Sequence, residues 1–84
     1  MKSYFAVIET DVFIDGNGLP QTFSTIARIG DTKAIAIELL QNIIEQDYYD
    51  WEFEYSTYNN GVLVIDPRDP YHRISFYIDQ FLIQ

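Results

Sequence analysis

The stretch DWEFEYSTYNNGVLVI, Asp50 to Ile65, decides the fold. From Asp50 to Tyr58 it alternates, with Trp51, Phe53 and Tyr55 on one side and Asp50, Glu52 and Glu54 on the other. A period of two residues is that of a strand with one face on a core and one in water. Asn60-Gly61 predicts a two-residue type I′ hairpin turn, because both residues tolerate positive φ. Val62 to Ile65 is apolar on both sides, which predicts an interior strand covered on both faces, or a face used by a partner.

Downstream, Asp66-Pro67-Arg68-Asp69-Pro70 reads as a rigid loop, since each proline fixes its own φ and biases its predecessor to extended geometry. A last strand follows from His72 to Ile83, with Ile74, Phe76, Ile78 and Leu82 on one face and Arg73, Ser75, Tyr77 and Asp79 on the other. Upstream, Gly30-Asp31-Thr32 opens a helix with Asp31 as the expected N-cap. Ala36, Ile37, Leu40, Ile43, Ile44 and Tyr48 recur at helical spacing and form an apolar stripe. Glu38, Gln41, Asn42, Glu45 and Gln46 take the wet side, and the helix ends near Asp47.

Two strands precede the helix. Tyr4 to Ile14 alternates, with Phe5, Val7, Glu9, Asp11 and Phe13 as its mixed face. Thr22 to Ile29 places Phe23, Thr25, Ala27 and Ile29 on one side. The cluster Asp15-Gly16-Asn17-Gly18-Leu19-Pro20 turns between them. The order β-β-α-β-β-β predicts an α+β two-layer domain: an antiparallel sheet of about five strands with one helix packed on one face. The 84 residues form a single domain, 1–84.

Composition excludes several function classes. There is no cysteine, hence no disulfide, thiolate nucleophile or cysteine zinc site. Thirteen acids against five bases give a net charge of −8, which opposes binding to nucleic acid or to an anionic membrane and favours a basic protein partner. Acids interrupt the first fifteen residues too early for a signal peptide, and no apolar run approaches the ~20 residues of a membrane span. A soluble, cytoplasmic protein is expected.

Catalytic and metal motifs are weak. Counted from Asp15, a calcium loop would put an oxygen ligand at Leu19, glycine at Pro20 and glutamate at Ile26, so the pattern fails. Gly16 and Gly18 lack the lysine and the spacing of a phosphate loop. His72, the only histidine, has Asp66 or Asp69 as a possible orienting carboxylate but no nucleophile motif, and reads as a solvated or edge-capping residue. Glu52 and Glu54 are ~7 Å apart along a strand, a separation glycosidases use. Without a cleft they make no active site. The sequence predicts no enzyme and no cofactor.

Charge distribution carries the functional signal. Between Glu45 and Asp66 lie six carboxylates and no lysine or arginine. An acidic face usually serves only to keep a sheet soluble and to discourage edge pairing. A field of one sign this long goes further than solubility requires, and suits a protein that competes with phosphates for a basic groove. Glu45, Asp47, Asp50, Glu52 and Glu54 would carry the charge, with Asp66 and Asp69 as a second acidic edge. Tyr49, Tyr58 and Tyr77 are candidate aromatic anchors.

In size, charge and open sheet the chain resembles small, acidic, cysteine-free inhibitors encoded by phages, such as anti-CRISPR and anti-restriction proteins, several of them DNA mimics. It is similar also to immunity proteins and antitoxins that block a basic nuclease. The resemblance implies a stoichiometric protein inhibitor of a nucleic-acid-binding or nuclease partner, acting without cofactor. The alternative is a homodimeric assembly module. Val62 to Ile65, Tyr77, Phe81 and Ile83, with Phe5, Val7 and Phe13, would then pack against a second copy by sheet stacking or edge pairing.

Overall fold

Alternating strands that expose one apolar face need a cover, and the single amphipathic helix supplies it. The computed structural model describes residues 2–55 and 60–83. Its elements are β1 (Lys2–Ile14), β2 (Pro20–Gly30), α1 (Lys33–Asp47), β3 (Glu52–Tyr55), β4 (Val62–Asp66) and β5 (Asp69–Ile83). They build one five-stranded antiparallel sheet in the order β2-β1-β5-β4-β3, with α1 packed on the middle of one face. The expected α+β architecture and element order are those observed.

The core lies between α1 and the middle of the sheet. Ala36, Leu40, Ile43 and Ile44 on the helix meet Val7, Val62, Val64, Ile74, Phe76 and Ile78 on the strands. Phe76, Val7 and Val64 are the largest fully buried side chains. Beyond this layer the opposite sheet face stays uncovered, apart from Ala6 and Ile8, which their neighbours bury.

Several local expectations are corrected. Thr32, not Asp31, caps the helix: it is extended (φ −129°, ψ 160°) and its Oγ1 accepts from the Ile35 N–H at 3.2 Å. The register of β1 on β2 slips between Val7 and Ile8, since Val7 opposes Arg28 while Ile8 opposes Ile26. The extra residue, Ala27, is a bulge, so Ile29 joins Ile26 on the open face instead of Phe23 and Thr25.

β3 begins at Glu52, two residues later than expected, and the remainder of the expected strand beyond Tyr55 lies outside the described residues. Phe53 and Tyr55 do face the helix side, opposite buried Val64 and Val62. Yet Phe53 is 40% and Tyr55 78% exposed, because the helix covers the sheet's middle and does not reach this edge. Tyr55 pairs with Val62, and the expected Asn60-Gly61 turn adjoins residues 56–59, which lie outside the described residues. Asn60 does adopt the left-handed backbone (φ 55°). Downstream, the rigid loop shrinks to a tight turn at Pro67-Arg68, flanked by the paired Asp66 and Asp69.

Val62 and Val64 lie under the helix, while Leu63 and Ile65 are half-buried on the open face. Only one face of β4 is therefore covered. Leu82 belongs to the helix side but is exposed, beyond the reach of α1.

Candidate functional site

The C-terminal end of α1 is where charged and aromatic side chains converge. Tyr48 caps the helix, its N–H donating to the Ile44 carbonyl at 3.1 Å, and the Trp51 N–H donates to the Tyr48 carbonyl at 3.0 Å. This turn stacks the Tyr48 ring edge-on against Trp51 (4.8 Å between centroids) and close to buried Phe76 (5.7 Å). Trp51 in turn packs edge-on against His72 at 5.5 Å.

His72 stands between two carboxylates from different parts of the chain. Its Nε2 is 3.0 Å from Asp11 Oδ1 on β1, and its Nδ1 is 3.5 Å from Asp66 Oδ2 at the end of β4. Each ring nitrogen therefore faces a carboxylate oxygen. Asp66 Oδ1 also accepts from the Arg68 N–H at 2.9 Å and faces the Arg68 guanidinium at 3.4 Å. Those contacts, the backbone bond first, hold the Asp66 carboxyl below the usual range.

Glu9 lies on the same strand face as Asp11. Partial burial, then the nearby charge of Asp11, and less strongly Asp47, push its carboxyl up against the opposing pull of Arg28. Burial likewise raises the Tyr48 phenol to about 12, helped by Glu9, Asp47 and Asp11. Three elements, β1, α1 and β4, thus bring Glu9, Asp11, Asp47 and Asp66 to one end of the helix, where unpaired backbone carbonyls add partial negative charge.

The sequence-predicted field is divided by the fold. Asp47 joins this acidic pole, and Asp66 joins it as a partner of His72 and Arg68. Glu52 and Glu54 sit opposite Ile65 and Leu63, so they belong to the other face of the sheet at its β3 edge. Asp50 lies in the turn between, and Glu45 lines a groove beside the helix. Asp69 is exposed and its Oδ1 accepts from the Tyr71 N–H at 3.1 Å. Tyr49 is 74% exposed, and Tyr77 is half-buried on the open face. Tyr58 lies outside the described residues.

Glu9 and Asp11 were not anticipated as site residues. The signal was their place on the odd side of β1, in line with Phe5 and Val7, where carboxylates interrupt an apolar face.

Other candidate sites resolve into structure. Asp15 Oδ1 accepts from the Asn17 and Leu19 N–H groups at 2.9 and 3.0 Å, and Oδ2 from Gln21 Nε2 at 2.9 Å. Its carboxylate organises the β1–β2 turn. Among the described residues no group of three or more His, Cys, Asp or Glu side chains is arranged to hold a metal. The groove between α1 and β4 encloses about 240 Å³ and is lined by Ile37, Leu40, Ile44, Tyr55 and Val62. It is small and mainly apolar, with Gln41, Glu45 and Asn60 as its polar lining. Among the described residues no helix is long and apolar enough to cross a membrane. Comparisons with protein families, characterised proteins and solved structures found no match.

Proposed function

We propose that this chain is a non-enzymatic acidic inhibitor that binds a basic nucleic-acid-binding or nuclease partner in the cytoplasm, as an anti-defence factor of the anti-CRISPR kind. The observation that carries the reading is the gathering of Glu9, Asp11, Asp47 and Asp66 around Trp51 and His72 at the helix end. Carboxylates held on several rigid elements present fixed charge where a basic groove expects phosphate. Trp51 and Tyr48 add ring faces of the kind that receive arginine or lysine. Glu52 and Glu54 offer a second, separate acidic patch on the opposite face. An immunity protein or antitoxin against a nuclease would use the same chemistry, and the effector bound distinguishes it.

Binding to purified basic nucleic-acid-binding effectors, with DNA as competitor, tests the proposal. Asp47→Lys and the Glu52→Lys/Glu54→Lys pair probe the two patches separately. Affinity should fall about tenfold or more for the variant in the patch used, and should weaken with salt. Binding that ignores both charge reversals and salt overturns charge mimicry.

A further inference from the structure

Between Pro20 and the bulge at Ala27, β2 is an edge strand without the usual protections. It runs eleven residues, Pro20–Gly30, and among the described residues pairs only with β1. Natural edges are kept short, charged or interrupted so that they do not pair with another chain. From Gln21 to Ile26 this edge has no charge, proline or glycine, and it is rich in β-branched and aromatic residues. Thr22 to Ile26 are all exposed, so α1 does not overhang them. Phe23 and Ile26, on opposite faces of the strand, are 61% and 48% exposed.

The other edge is guarded by charge. Among the described residues β3 spans Glu52–Tyr55, and two of these are Glu52 and Glu54. One sticky edge and one guarded edge give a two-fold pair rather than a growing filament.

We infer that β2 is a dimerisation edge, on which a second copy of this chain pairs its own β2 antiparallel to form a continuous ten-stranded sheet. Pro20 and the bulge at Ala27 bracket the pairing segment, because a proline lacks the donor and a bulge breaks the ladder.

Charge selects a second copy as occupant despite the net −8 of each chain. β2 carries a single charge, Arg28. Antiparallel pairing centred between Thr22 and Ile26 brings Arg28 towards the Gln21 end of the other copy, where Asp15 holds Gln21 Nε2 at 2.9 Å. Each copy therefore offers a cation towards the other's turn carboxylate. Meanwhile Glu52 and Glu54 lie four strand spacings from the edge, about 19 Å at roughly 4.8 Å each. That exceeds the Debye length of about 8 Å at physiological salt, so the β3 acids of two copies scarcely repel each other.

Sedimentation of the wild-type chain over a concentration series tests this, alongside Thr25→Lys and Ile65→Lys. Thr25 is exposed on β2 opposite Glu9, so a lysine there finds a carboxylate within its own chain, while about a two-fold at Ser24 the two lysines become diagonal like-charged neighbours on one face of the new pair. The expected result is a monomer–dimer equilibrium whose dissociation constant rises about tenfold or more in Thr25→Lys. Ile65→Lys, on the open face, should leave it unchanged. Amide exchange of the wild-type chain, which needs no variant to fold, should show Phe23 to Ile26 slowing as concentration rises. A chain monomeric up to its solubility limit overturns the inference. So does a dimer that survives Thr25→Lys and dissociates in Ile65→Lys, which would assign the contact to sheet stacking.

Discussion

His72 Nε2 lies 3.0 Å from Asp11 Oδ1, a link between side chains sixty-one positions apart that crosses the central β1–β5 pair. Asp66 approaches the other ring nitrogen at 3.5 Å. Replacing the imidazole leaves two neighbouring carboxylates without their shared donor. His72→Leu should therefore lower stability by about 1 kcal/mol, the net worth of a hydrogen bond to a partly exposed charged group. Urea unfolding at neutral pH measures it.

Asp66 gives that link a pH dependence of known sign. Its folded carboxyl is held below the ordinary 3.8 by the Arg68 N–H first, then by the side chains of Arg68 and His72. The contribution is present above pH 3.8 and is lost as pH falls through the lower folded value. Asp66→Asn should therefore be less stable than wild type near neutrality, with the gap closing in acid. Thermal melts across pH read the convergence directly.

Glu9 works in the opposite direction. Burial and then Asp11 raise its carboxyl above the ordinary 4.5. The folded chain binds that proton more tightly than the unfolded chain, so this residue's contribution is fully present in acid, below the ordinary 4.5, and is lost as pH rises through the folded value. Glu9→Gln should raise Tm at neutral pH and give no gain in acid. A variant less stable than wild type at pH 7 would mean that Arg28 dominates the site.

Tyr48 should resist ionisation until about pH 12, because burial and then Glu9 favour the neutral phenol. The unfolded phenol titrates near 10, so this residue's contribution is intact below pH 10 and erodes as pH climbs towards 12. Absorbance titration of wild type against Tyr48→Phe isolates the late-titrating ring.

Gly30 ends β2 where the chain turns under the helix. A Cβ there would stand 3.0 Å from the Ala36 backbone nitrogen and 3.0 Å from Ile35 Cγ2. The nitrogen belongs to the first turn of α1 and has no room to retreat. Gly30→Ala should cost about 1–3 kcal/mol through overpacking, whereas Gly16→Ala meets nothing within 4 Å and should cost far less. Chemical denaturation of the pair separates crowding from a general glycine effect.

Periodicity made the elements legible, because apolar spacing is a local property of the chain. The stripe Ala36, Leu40, Ile43 and Ile44 became the buried helix face, and Ile74, Phe76 and Ile78 became the sheet face beneath it. Ile29 was misplaced because nothing in the residues around Ala27 announces a bulge. Phe53 and Tyr55 alternate correctly yet remain exposed, since alternation says which way a side chain points and not how far the cover extends. Asp31 and Thr32 are both competent caps, and the backbone geometry chose between them. The acidic pole was the least legible feature. Glu9, Asp11, Asp47, Asp66 and His72 meet only after β1 pairs with β5, and contiguous sequence emphasised Glu52 and Glu54, which the fold sends to the other face.

The β1–β5 pairing sets a timetable as well as a shape. These neighbours at the centre of the sheet are separated in sequence by every other element, from Lys2 opposite Ile83 to Val12 opposite Arg73. The β1–β2 hairpin and the helix assemble from nearby residues, but they have no sheet centre to close on until β5 arrives. Ring closure over so long a segment is entropically demanding and slows folding. During synthesis, Val7 and the apolar stripe of α1 therefore wait in water until the last strand inserts, and the rate of that insertion governs how long the nascent chain is exposed to misassembly.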